Sequence, residues 1–114
     1  MTDYRRARRR KLTQNVDVID SMTAQMVGRL GDLSETGMLL FANKPLTSDG
    51  LYQFRFRLAS DAGESRAVEV GAHELWSDEA GAPGQIWTGL RYIDVSHDDL
   101  AFIRRWVAES EDRA

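Results

Sequence analysis

Tyr52, Phe54, Phe56 and Leu58 alternate with Gln53, Arg55 and Arg57. A two-residue hydrophobic period belongs to a strand with one face on a core and the other in water. A helix would scatter the same residues around its circumference. Shorter segments of the same kind flank this one. Val16 and Val18 alternate with Asn15 and Asp17, and Thr23 to Leu30 contains Met26, Val27 and Leu30. Met38 to Phe41 is apolar throughout, Val68, Val70 and Ala72 lead on towards Trp76, and a further strand runs from Ile86 to Ile93. Turn-forming residues separate the segments: residues 32–37, Asn43 to Gly50 with Pro45, Ser60 to Ser65, and Ser77 to Gly84 with Gly81 and Pro83. Six short strands with such spacing predict a small antiparallel barrel or sandwich, a mainly β fold.

The period changes near the C-terminus. Leu100, Ile103 and Val107 fall at helical spacing, and Phe102 and Trp106 widen the stripe. A helix over residues 96–110 is expected to pack this face on the barrel, with Ser96 and Asp99 as a capping-box-like start and Asp98 and Asp99 favoured by the helix dipole. Trp87, Trp106, Met22, Met26 and Met38 are assigned to the core.

The 114 residues suffice for one domain, 1–114, divided into a basic flexible arm (1–11), the strands (12–95) and the helix. There is no cysteine, which removes disulfides and thiolate chemistry. No apolar run approaches the roughly 20 residues of a membrane-spanning helix. After the basic start come Thr13, Gln14, Asn15 and Asp17 rather than the apolar stretch of a secretory signal, so a cytoplasmic location is expected.

Charge is divided sharply along the chain. Residues 1–11 hold Arg5, Arg6, Arg8, Arg9, Arg10 and Lys11 against Asp3, leaving 9 of the 15 basic and 17 of the 18 acidic side chains to the remainder. An acidic body with a basic arm suits a small polyanion held at one place and argues against a specific nucleic-acid polymer as partner. The guanidinium fork binds phosphate and guanine edges bidentately.

Arg6-x-x-x-Arg10 is followed, 22 residues beyond Arg10, by Asp32-x-Ser34-x-x-Gly37. Two strands fill the interval. With these motifs the sequence resembles the PilZ domain family, receptors of the bacterial second messenger cyclic di-GMP, whose signature is RxxxR, often with an adjacent Arg, and then (D/N)xSxxG. The segment WTGLRYIDVSHDDLAFIRRWV is similar to the family's last strand and C-terminal helix. The resemblance implies a six-stranded antiparallel PilZ-type β-barrel with a C-terminal helix. It also implies a ligand site of Arg5, Arg6, Arg10, Asp32, Ser34 and Gly37. Arg5-x-x-x-Arg9 satisfies the first motif as well; the interval to Asp32 favours Arg10, and Arg9 is held as a lesser candidate. Trp76 is a further candidate, since a residue near this point stacks on the ligand in some relatives, with core packing as its other reading.

The residue chemistry fits such a ligand. The arginines suit its phosphodiesters and guanine O6 and N7, and Asp32 suits guanine N1–H and N2–H. Ser34 can donate to a phosphate or brace the turn, and Gly37 permits close backbone approach or a positive φ. Asp32 and Ser34 would equally make a turn with no ligand.

His73, Glu74 and Asp78 make a weak metal set, and no cofactor is expected. Gly28-Arg29-Leu30-Gly31 matches a KH-type GxxG loop but lies in strand-like sequence. No catalytic constellation is legible, so the expectation is a receptor, not an enzyme, acting on an effector protein in trans as its arm orders on the ligand. The alternative is a PilZ-scaffold interaction module that binds no nucleotide.

Overall fold

The computed structural model describes residues 7–79 and 85–112, with the side chains of 110–112 excepted. Arg5 and Arg6, and the loop residues Gly81, Pro83 and Gly84, lie outside the described residues.

Among the described residues, seven strands and one helix follow in chain order: β1 (Arg10–Lys11), β2 (Asp17–Asp20), β3 (Met26–Leu33), β4 (Gly37–Ala42), β5 (Leu51–Ala59), β6 (Ser65–Glu79), β7 (Ile86–Val95) and α1 (His97–Asp112). All pairings are antiparallel. The order β3-β2-β5-β6-β7-β4 closes through the β3–β4 pairing into a six-stranded barrel, and the two-residue β1 is the extra strand, laid on β3 beyond the end of β2. Closure removes the open edges at which a small sheet would associate with others.

The alternation around Phe54 is realised as read. Phe54, Phe56 and Leu58 are buried, while Arg55 and Arg57 face water. They meet Val18, Leu33, Met38, Leu40, Val68 and Val70 in the barrel interior. One end of that core is packed by α1 through Phe102, Ile103, Trp106 and Val107, and the Trp106 indole N–H donates to the Ala59 carbonyl at 3.0 Å. Ser96 Oγ accepts from the Asp99 amide as a cap should (3.1 Å). The Asp99 carboxylate does not complete the capping box. It accepts instead from Arg66 Nε (2.7 Å) and the Glu69 amide (3.1 Å), fastening the first turn of the helix to β6.

Several boundaries and burials differ from the sequence reading. Arg10 and Lys11, read as part of the arm, already pair with Leu33 and Asp32. Residues 21–25, read partly as strand, form the β2–β3 turn, where Ala24 takes a φ of 62° and the Asp20 carboxylate accepts from the Met22 amide (2.8 Å). β6 runs on to Glu79 because Ser77, Asp78 and Glu79 still pair with β7. Met22 and Met26 are exposed rather than core, and Met38 alone of the three is buried. Trp106 is core, but Trp87 is half-buried on the outer face, stacked on Phe41 at 4.4 Å.

Candidate functional site

A cleft of about 810 Å³ lies on the outer face of β4, β7 and β6, where β1 and the β3–β4 turn approach. Arg9, Asp32, Leu39, Leu75, Trp76 and Arg91 line it. Its volume falls within the roughly 300–1,000 Å³ usual for small-molecule sites.

Two interruptions of strand alternation decide which side chains it receives. In β3, Leu30 pairs with Leu40 but Asp32 pairs with Leu39, leaving Gly31 as an extra residue. Such a bulge changes the parity of a strand. Leu30 therefore points into the core, whereas Asp32 shares the outer face with Leu39. In β6, Glu74 pairs with Leu90 and Trp76 with Gly89, leaving Leu75 extra. Trp76, which strict alternation from Val70, Ala72 and Glu74 would send inside, stands 48% exposed on the cleft wall. The core-packing reading of Trp76 is thereby set aside.

The Asp32-x-Ser34-x-x-Gly37 motif divides its labour. The Asp32 carboxylate faces the cleft and accepts from Arg9 at 2.8 Å. Ser34 is fully buried, its Oγ accepting from the Thr36 and Gly37 amides at 3.1 Å each, so in this structure it braces the turn. Gly37 provides the close approach rather than a positive φ: a Cβ there would stand 2.3 Å from the Leu90 carbonyl oxygen. Gly37→Ala is expected to cost about 1–3 kcal/mol by pushing β4 from β7, a loss readable in urea unfolding; a stability equal to that of the wild type would show that the strands separate freely.

Tyr92 secures the turn from β7, donating its hydroxyl to the Ser34 carbonyl at 3.0 Å. Burial pushes its phenol well above the ordinary tyrosine range; Arg9 opposes the shift and Asp32 adds to it. The hydroxyl thus stays a neutral donor at any physiological pH.

The two arginine registers go to different places. Arg9 is on the cleft. Arg10 is turned to α1, its side chain 11% exposed, donating to the Trp106 carbonyl (2.6 Å), Glu109 (2.9 Å) and Asp61 (2.8 Å) and lying over the Trp106 ring at 4.2 Å. It borders a separate cleft of about 650 Å³ between residues 12–17 and the end of β5. Asp32, Arg9 and Trp76 are brought to one cavity, and Arg10 is not.

The sequence reading passed over Arg91, Leu39 and Leu75. Arg91 was accessible to it, since Trp87, Gly89 and Arg91 alternate with the inward Thr88 and Leu90 of β7. Among the described residues the Arg91 side chain makes no hydrogen bond or ion pair. His73 and Glu74 are occupied locally: His73 bonds Asp49, while the buried Glu74 accepts from the Asp49 amide (2.9 Å) and Ser77 (2.7 Å). No group of three or more potential metal ligands occurs among the described residues.

The cleft combines two guanidinium groups, a carboxylate and a half-exposed indole. That set suits an anion carrying a planar base with N–H donors.

A sequence model of the PilZ domain matches residues 3–109. No curated protein matches the chain. Among solved structures, the Bacillus subtilis inhibitor of motility MotI/DgrA superposes with a TM-score of 0.77 at 13% identity, over 98% of this chain and 53% of that one. The chain therefore spans about half of that protein's length. The PilZ domain of YcgR from Escherichia coli, solved with c-di-GMP, gives 0.70 at 17% identity, covering 96% of this chain and 93% of the other. The PilZ domain of CeSA from a cellulose-synthesizing bacterium gives 0.59 at 18% identity, over 90% and 97%. At these identities the likeness is one of fold.

Proposed function

The chain belongs to the PilZ domain family, and we propose that it is a receptor for cyclic di-GMP that passes its signal to a partner protein in trans, without catalysis. The observation that carries this reading is the meeting of Arg9 and Asp32 at 2.8 Å on the wall of a cleft that Trp76 also lines. The related domain of YcgR is known with this nucleotide.

In this proposal the motif operates in the Arg5 and Arg9 register rather than the Arg6 and Arg10 register favoured by spacing. Arg9 and Arg91 bind phosphate or the guanine Hoogsteen edge, and Asp32 accepts from N1–H and N2–H of guanine. One face of a base lies on Trp76. Ser34 and Gly37 act through the turn. Arg5 and Arg6 remain candidates through the motif alone.

Isothermal titration at one fixed salt concentration tests the reading. Cyclic di-GMP should bind and cyclic di-AMP should bind more weakly, because adenine lacks the N1 and C2 donors. The difference expected for one good bidentate pair is about 1–3 kcal/mol, or roughly 5- to 150-fold. In Asp32→Ala the two affinities should converge, chiefly by loss of cyclic di-GMP binding. An unchanged ratio would remove Asp32 from base recognition and leave it as the partner that orients Arg9. No heat with either nucleotide would favour the interaction module that binds none.

A further inference from the structure

We infer that Gly89 is a positioning residue for the ligand: with the bulge at Leu75 it forms a seat that holds the Trp76 indole as a stacking platform. The inference rests on the nucleotide reading of the cleft and adds to it a residue of the cleft wall that acts through Trp76.

The bulge delivers Trp76 to the outer face directly opposite Gly89. A Cβ built on Gly89 would meet the indole Nε1 at 2.3 Å, Cε2 at 2.4 Å and Cζ2 at 2.9 Å, and these are its three nearest atoms. The ring is therefore laid against the bare backbone of β7, closer than any side-chain-bearing residue would allow. Its exposure of 48% leaves indole surface open to the cleft. Leu75, 52% exposed beside it, is the residue looped out to make the parity change. A tryptophan at a strand surface ordinarily has several rotamers. Contact with Gly89 on one side removes that freedom before a ligand arrives, so stacking proceeds without first ordering the ring.

Gly89 does not take a positive φ, so alanine is conformationally permitted there. The obstacle to it is the indole itself. Gly89→Ala should therefore lift or rotate the ring while leaving the barrel closed.

The test is a double-mutant cycle read by titration with cyclic di-GMP, with near-ultraviolet circular dichroism and thermal unfolding on the same samples. Trp76→Ala should weaken binding about 5- to 150-fold, the range for loss of one base-stacking contact. Gly89→Ala should fall within the same range and alter the near-ultraviolet spectrum. In the Trp76→Ala background, Gly89→Ala should change neither affinity nor melting temperature, because the atoms it would strike are gone. Equal effects of Gly89→Ala in both backgrounds would overturn the inference and make Gly89 a general packing position. So would an unaltered spectrum and affinity in the single variant. If wild-type protein gives no heat with cyclic di-GMP, the nucleotide reading fails; the spectrum of Gly89→Ala and the melting temperatures of the cycle still judge the seat.

Discussion

Arg9→Ala is expected to weaken cyclic di-GMP binding towards 150-fold, the upper end of the about 1–3 kcal/mol for one bidentate contact, with a smaller loss of stability than Arg10→Ala. Arg10→Ala is expected to do the reverse. The upper end applies to Arg9 because its removal has two consequences. The guanidinium is lost to the ligand, and Asp32, whose carboxylate it meets at 2.8 Å, loses the partner that orients it towards the guanine donors. Arg9 is 45% exposed along its side chain and Asp32 12%, so the pair sits at the edge between water and interior, and its loss should cost the fold less than that of the enclosed Arg10. Arg10 is nearly enclosed and donates to three acceptors on α1 and the β5–β6 loop while stacking on Trp106. Its loss should cost about 1.5–3 kcal/mol, the range for hydrogen bonds to charged groups, and lower the melting temperature by roughly 4–8 °C for each kcal/mol. Titration and thermal unfolding of both variants make the comparison. Should Arg10→Ala damage binding more than Arg9→Ala at unchanged stability, the register drawn from spacing is the functional one. Equal losses from Arg8→Ala would mean that the arm acts as diffuse charge.

Trp106→Ala should be the most destabilising single change of those considered, at about 3–5 kcal/mol by the usual cost of a large aromatic truncation. That is a substantial part of the roughly 5–15 kcal/mol by which domains are stable. Trp106 is 3% exposed, its ring fills the end of the barrel beside Phe102, Ile103 and Val107, and its N–H satisfies the Ala59 carbonyl. The same ring is the surface on which Arg10 lies. Adding Arg10→Ala to Trp106→Ala should then cost less than Arg10→Ala alone, since contacting residues are not additive. Urea unfolding measures this, with an unchanged slope indicating a comparable folded state. A loss below about 1 kcal/mol, far outside the range for a buried aromatic, would mean that α1 does not close the core.

Much of the architecture was legible in the linear chain. Phe54, Phe56 and Leu58 announce their strand because a two-residue period leaves one face to bury, and Phe102, Ile103, Trp106 and Val107 announce the helix by the same logic at a longer period. The 22-residue spacing between Arg10 and Asp32 carried the family resemblance, and the matched PilZ domain covers residues 3–109. What the linear chain left open was the face on which particular side chains emerge. Alternation sends Asp32 inward with Leu30 and Trp76 inward with Glu74. The extra residues Gly31 and Leu75 reverse both, and a residue is extra only relative to the strand paired beside it. The arginine register is of the same kind. Arg9 and Arg10 are adjacent and chemically identical, but once β1 is laid on β3 their side chains leave in different directions, one to Asp32 and the cleft, the other to Trp106 and the helix. Local periodicity therefore determined which segments are strands and helix, because burial of one face is written in the order of residues; tertiary pairing decided which residues share the cleft, because parity at a bulge and direction at a short strand are properties of two strands together.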